Sequence, residues 1–133
     1  MVNLVIVSHS RQLALGAREI ALQMAGSEVT IGAVGGLDEG DGYVLGTDAV
    51  QIAAAVQENW CEEGVLLLVD MGSAVMSAEQ ALEFLPPEMA ARCLISNAPL
   101  VEGAIVAALE AGMGRSLEEV NAAAETACVL PKR

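Results

Sequence analysis

The sequence predicts an α/β protein: an open, mainly parallel sheet of about four core strands with helices on both faces. Three observations predict it. Apolar runs at 4–7, 29–34, 65–69 and 92–96 alternate with stretches whose apolar residues recur every three or four positions, the pattern of strands interleaved with helices. The first run, Leu4-Val5-Ile6-Val7, has no polar alternation, as suits a strand covered on both faces. Each run then stops at small or polar residues: Ser8-His9-Ser10, Gly35-Gly36, Asp70-Met71-Gly72-Ser73 and Asn97-Ala98-Pro99.

Taken in order, the first strand leads into Leu13, Ala14, Ala17, Ile20, Ala21, Met24 and Ala25, which mark a helix over 11–25 with Ser10 as N-cap and Gly26 as its stop. The second strand, 29–34, ends at Gly35-Gly36. The Gly- and Asp-rich segment 37–48 reads as a loop, after which Thr47 or Asp48 caps a helix through Ala49, Ile52, Ala53, Val56 and Trp60. The third strand is 65–69. A helix from near Ser73 to Phe84 follows and stops at Pro86-Pro87. A short strand, 92–96, precedes a helix from Glu102 to Ala111, and Ser116 caps a last helix from Leu117 to about Cys128, with Glu118 and Glu119 in its first turn. The expected organisation is one domain over 1–128 and a tail or linker start at 129–133.

The 133 residues suffice for one core, which at this length buries roughly two-thirds of the surface of the unfolded chain. One Trp, one Tyr and one Phe exclude a base-stacking platform, and a formal charge of −12 repels a phosphate backbone or anionic lipid. Nucleic acid is a poor partner, and a protein with a basic docking face is a good one. Cys61, Cys93 and Cys128, odd in number and each in or beside an apolar segment, read as buried thiols of a reducing compartment and not as a disulfide framework or zinc site. The first apolar run is too short for a membrane span and has no basic region before it, so the expectation is a cytoplasmic protein without membrane insertion. The glycine-rich segment has neither a P-loop signature nor a dinucleotide fingerprint.

The chemistry-bearing residues sit at strand ends. His9, the only histidine, ends the first strand and immediately precedes a helix amino terminus, where unpaired N–H groups favour anions. Its imidazole suits acceptance of a phosphoryl group or a proton; the plain alternative is a polar strand-end residue without chemistry. Asp70 ends the third strand, which can neighbour the first. A carboxylate there would accept one ring N–H and present the other nitrogen as nucleophile, although Asp70 could equally cap the following helix. Arg11 is placed to meet an anion, whereas Arg18 reads as solvated helix surface. Met71 and Met76 read as core packing.

From Leu4 through the last helix, the chain resembles the mannose-type enzyme IIA family of the bacterial phosphoenolpyruvate-dependent phosphotransferase system. The resemblance rests on Ile6-Val7-Ser8-His9-Ser10, Gly35-Gly36, Gly46-Thr47-Asp48, Val69-Asp70-Met71-Gly72-Ser73-Ala74 and the segment from Asn97 to Ala104. Gly72-Ser73-Ala74 and Asn97-Ala98-Pro99 are most similar to its dihydroxyacetone-kinase branch, the DhaM-type phosphotransferase subunits. The resemblance implies a homodimer in which His9 takes a phosphoryl group from HPr or an HPr-like domain, as a tele-phosphohistidine. His9 would pass it to ADP on the subunit DhaL, which phosphorylates dihydroxyacetone held by DhaK. It implies that Asp70 orients the ring and that the glycine-rich and Gly-Ser segments surround the phosphoryl site. Backbone N–H groups of Ser10 and Arg11, with hydroxyls of Thr47 and Ser73, would then meet phosphoryl oxygens. This subunit would bind no cofactor or metal, ADP and magnesium residing on DhaL, and some relatives continue into HPr-like and enzyme-I-like domains. The alternatives are a mannose-type sugar transporter component donating to a IIB domain, a non-enzymatic docking module and, more weakly, a mutase-like phosphatase.

Overall fold

The computed structural model describes residues 1–133. The chain runs β1 (Asn3–Ser8), α1 (Arg11–Leu22), β2 (Ile31–Gly35), a hairpin of β3 (Leu37–Asp38) and β4 (Tyr43–Val44), and α2 (Ala49–Asn59). It continues through β5 (Val65–Val69), α3 (Gly72–Glu83), α4 (Pro87–Ala90), β6 (Cys93–Ile95), α5 (Leu100–Gly112), α6 (Leu117–Glu125) and a 3-10 turn, Thr126–Val129. Four strands form one parallel sheet in the order β2-β1-β5-β6. The chain leaves β1 to one side for β2 and returns on the other side for β5, so the order reverses between β1 and β5. A crevice opens there at the carboxyl ends, where a ligand site is expected in such a sheet.

Side-chain alternation along the central strands divides the core in two. Leu4, Ile6, Leu66 and Leu68 point to the layer that also holds Ala14, Ala17 and Ala21 of α1, Ala104, Ala107 and Ala108 of α5, and Val120 of α6. Val5, Val7, Val65, Leu67 and Val69 point to the opposite layer with Ile52 and Val56 of α2 and Ala74, Ala78 and Ala81 of α3. The apolar runs without alternation follow from this double covering. Alanine on the inward helix faces lets the helices approach the sheet closely. Each fully buried Leu, Ile or Val contributes about 1.5–3 kcal/mol of transfer free energy.

The structure refines several element boundaries. The segment 37–48 is not simply a loop: Asp38 pairs with Tyr43 across a tight hairpin whose Gly40 N–H donates to the Asp38 carboxylate at 2.8 Å. β2 begins at Ile31, because Val29 N–H turns back to Gly26 O at 3.2 Å and Thr30 N–H donates to the Asn3 side chain at 2.9 Å. The short α4, with Pro87 at its first position, occupies the connection before β6. The last helix is α-helical only to Glu125 and tightens into the 3-10 turn. Asp48, not Thr47, caps α2. Of the three cysteines only Cys93 is buried; Cys61 is half-buried and Cys128 exposed, which corrects the expectation of three buried thiols. Burial raises the Cys93 thiol to about 11, so it is a small hydrophobe at neutral pH. Met71 and Met76, expected to pack the core, are exposed, because both lie on the solvent side of the start of α3. No helix is long and apolar enough to cross a membrane.

The end of β2 is fitted tightly against β1. Gly35 pairs with Ser8, and a β-carbon on Gly35 would collide with the Ser8 carbonyl oxygen. Gly35→Ala is therefore expected to lower stability by about 1–3 kcal/mol through overpacking, read from the urea midpoint. An unchanged midpoint would show that this strand end yields without cost.

Candidate active site

Ser8, His9 and Asp70 meet at the crevice between β1 and β5. Val7 is in register with Val69, so the next residues of the two strands face one another. The Asp70 carboxylate takes four hydrogen bonds there. One oxygen accepts from the Ser8 hydroxyl at 2.8 Å and from the His9 backbone N–H at 2.9 Å. The other lies 2.9 Å from His9 Nδ1 and accepts the Met71 N–H at 2.8 Å. The side chains of His9 and Asp70 are only 19% and 11% exposed. Burial alone would raise the Asp70 pKa, but the bonds from the His9 backbone, the His9 ring and the Ser8 hydroxyl outweigh it and hold the carboxyl below its ordinary value of 3.8. Asp70 is thus ionised near neutral pH and can only accept. Its partner Nδ1 must carry the proton, which leaves the lone pair of neutral His9 on Nε2.

Nε2 faces the start of α3, where the Ser73 hydroxyl lies 2.5 Å away and, facing a lone pair, is the donor. Met71 at the cap of this 12-residue helix makes no side-chain cap bond, and the Gly72 and Ser73 N–H groups have no hydrogen-bond partner. An uncapped amino terminus with free N–H groups beside Nε2 forms a neutral receptor for anionic oxygens.

The other residues expected at the site divide. Ser10 lies beside it, but its N–H donates to Ser8 Oγ at 3.0 Å and its hydroxyl caps α1 by accepting the Leu13 N–H at 3.2 Å, so the Ser10 N–H is already taken. Arg11 opens α1, and its guanidinium carbon stands 4.4 Å from the centroid of the Tyr43 ring. The Thr47 hydroxyl is 2.7 Å from Ser77 Oγ and ties the start of α2 to α3, one helical turn beyond Ser73. Asp70 is not the cap of α3; Met71 holds that position. Ser8 was not among the expected site residues, and Gly72 was expected only as part of the Gly-Ser segment around the site, without a role for its N–H. Ser8 had a signal, as the one hydroxyl continuing a buried strand directly into the histidine. For Gly72 the signal was the Gly72-Ser73-Ala74 motif, which marks the segment but not the free N–H, a property of backbone placement.

Comparison with known proteins shows the family. The profile of the EIIA-man family, described as the fructose IIA component of the phosphotransferase system, matches residues 3–121. The chain is 45% identical over 121 residues to the phosphoryl donor subunit DhaM of PEP-dependent dihydroxyacetone kinase from Escherichia coli K12, covering 90% of this chain but 25% of that protein. It therefore spans about a quarter of the length of that relative. It is 40% identical to the corresponding subunit of dihydroxyacetone kinase 2 from Listeria innocua, covering 90% of this chain and 94% of that one. The crystal structure of EF1359, a protein of unknown function, matches with a TM-score of 0.81 at 34% identity over 94% of this chain and 93% of its own. With its parallel sheet and strand-end histidine, the chain belongs to the EIIA-man family of phosphotransferase-system components and, within it, to the group of DhaM phosphoryl donor subunits.

Proposed function

We propose that the chain is a phosphohistidine relay that takes a phosphoryl group from HPr, or from an HPr-like domain, onto His9 and passes it to ADP bound on DhaL. DhaL then phosphorylates dihydroxyacetone held by DhaK. The observation that carries this reading is the Asp70 carboxylate at Nδ1, which leaves Nε2 as the nucleophile. The Nε2 lone pair forms the new N–P bond as the donor's N–P bond breaks, and the donor imidazole keeps the electron pair. The His9 ring then holds a proton on Nδ1 and phosphorus on Nε2 and is positively charged, a charge that Asp70 offsets at 2.9 Å. The Ser73 hydroxyl, which donates to Nε2 in the resting site, turns to a phosphoryl oxygen, and the Gly72 and Ser73 N–H groups receive the others. Transfer to ADP reverses these changes: the Nε2–P bond breaks, the pair returns to Nε2, and an oxygen of ADP bonds to phosphorus.

The reading assigns the nucleotide and its magnesium to DhaL. The reading includes a cytoplasmic homodimer whose folded domain is residues 1–128, with 129–133 as tail or linker. The DhaM relatives, named as phosphoryl donor subunits of dihydroxyacetone kinase, support the choice of acceptor. A competition tests it: phosphorylated chain divided between DhaL–ADP and a mannose-type IIB domain should discharge to ADP with formation of ATP, and discharge only to the IIB domain would overturn the choice.

Incubation with phosphoenolpyruvate, enzyme I and HPr should add one phosphoryl group to the native chain and none to His9→Ala, read as intact mass at alkaline pH. Asp70→Asn should stay folded but accept the group roughly 10²–10⁴-fold more slowly, because an amide no longer fixes the tautomer or offsets the ring charge. Quenched-flow rates equal to the native value would remove Asp70 from the mechanism.

Asp70 also makes stability depend on pH. Its pKa is lower folded than unfolded, so its contribution is complete above the ordinary value of 3.8 and is lost as pH falls through the folded value. The stability difference between native chain and Asp70→Asn should shrink on acidification from about pH 5 to about pH 3, followed by urea denaturation. A difference that stays constant over that range would contradict the lowered pKa.

A further inference from the structure

The relay chemistry occupies one flank of His9. Asp70, Ser73 and the free N–H groups lie on the β5 side, and the β2 side has a different character. There the hairpin raises three consecutive large side chains, Tyr43, Val44 and Leu45, which are 48%, 47% and 75% exposed. None belongs to either core layer. With Ser10, Arg11, Gln12 and Leu15 of the α1 start they enclose a cleft of about 430 Å³.

The cleft is held in register with the histidine. Gly46 N–H donates to the His9 carbonyl at 2.9 Å, and Gly36 N–H donates to the Gly46 carbonyl at 2.9 Å. Gly36 adopts φ +72°, and a β-carbon there would stand 3.2 Å from Arg11 Cβ, so the base of the hairpin is pressed onto the first turn of α1. Arg115 and Lys132 face carboxylates, whereas Arg11 faces the Tyr43 ring and makes no ion pair. Asp38, Glu39 and Asp41 lie in the same hairpin and are all exposed, Glu39 and Asp41 at the turn and Asp38 in the strand opposite Tyr43.

We propose that this cleft is the docking notch for the phosphoryl-donor protein. The donor would seat an apolar side chain against Tyr43, Val44 and Leu45 and set basic side chains against Asp38, Glu39 and Asp41. The proposal rests on the relay reading above. Charge complementarity selects the occupant: a protein that displays a dianionic phosphoryl group needs cations around it, and an acidic hairpin on a chain of formal charge −12 attracts those cations. The apolar trio supplies the water-excluding contact that gives a protein interface its affinity. A small phosphorylated molecule would find a single cation there and no enclosing cradle.

The test compares a donor that needs no docking, potassium phosphoramidate, with phosphorylated HPr. For the double variant Val44→Ser, Leu45→Ser, labelling of His9 by phosphoramidate should stay within about twofold of native, while labelling by subsaturating HPr falls roughly tenfold or more through KM. The triple variant Asp38→Asn, Glu39→Gln, Asp41→Asn should likewise keep the phosphoramidate rate and lose most of the salt dependence of the HPr reaction. HPr rates and salt dependence that remain native in both variants overturn the notch and leave the relay standing. Failure of both donors to label the native chain overturns the relay and the notch together. A defect confined to discharge onto ADP would assign the cleft to the acceptor and overturn the choice of donor.

Discussion

The carboxylate of Asp70 is the constraint on which the rest of the site depends. A carboxylate offers about four lone-pair positions, and here each meets a donor: Ser8 Oγ, His9 N–H, His9 Nδ1 and Met71 N–H. These bonds join the ends of β1 and β5 across the place where the strand order reverses, and they fix the start of α3 through Met71. The same saturation keeps the group ionised in spite of burial. One side chain thereby sets the direction of the ring, the position of its proton and the approach of the helix whose Ser73 hydroxyl meets Nε2.

A relay must hold a phosphoryl group firmly enough to accept it and weakly enough to release it. A pocket lined with arginine and lysine would favour the phosphorylated state and slow its discharge, since binding that stabilises ground and transition states alike lowers no barrier. Here the group at Nε2 is the Ser73 hydroxyl, in the first turn of a helix whose Gly72 and Ser73 N–H groups are unpaired, and these are neutral dipoles that act over short range. Arg11, the cation nearest in sequence, is turned toward Tyr43 on the other flank. The acidic surface completes this division, because long-range charge assists the meeting with a basic partner and contributes little to the chemical step.

The four strands and the layering of helices were legible because doubly covered strands leave apolar runs without alternation and inward helix faces leave alanines at helical spacing. His9 and Asp70 were legible as the ionisable residues that end β1 and β5, and the motifs around them brought the family into view. The hairpin was hidden because strands of two residues have no period to detect. Ser10 caps α1 as expected, but its N–H, expected at the phosphoryl site, goes to Ser8 Oγ, and the Thr47 hydroxyl meets Ser77, allocations set by tertiary neighbours. Gly72 was legible as part of a motif but its role was not, because its contribution is an N–H left free by the way α3 begins. Sequence carries ionisable groups and burial well and carries the allocation of individual hydrogen bonds poorly.

The central claim is that Asp70 locks His9 with its proton on Nδ1 and its lone pair on Nε2. Long-range proton–nitrogen correlation NMR of histidine-labelled chain, recorded at a pH where the ring is neutral, reads that tautomer directly. The account predicts a protonated Nδ1 and an unprotonated Nε2 in the native chain, the preference weakening in Asp70→Asn, and phosphorus bonded to Nε2 after phosphorylation. A native ring protonated on Nε2, or phosphorus on Nδ1, would contradict it.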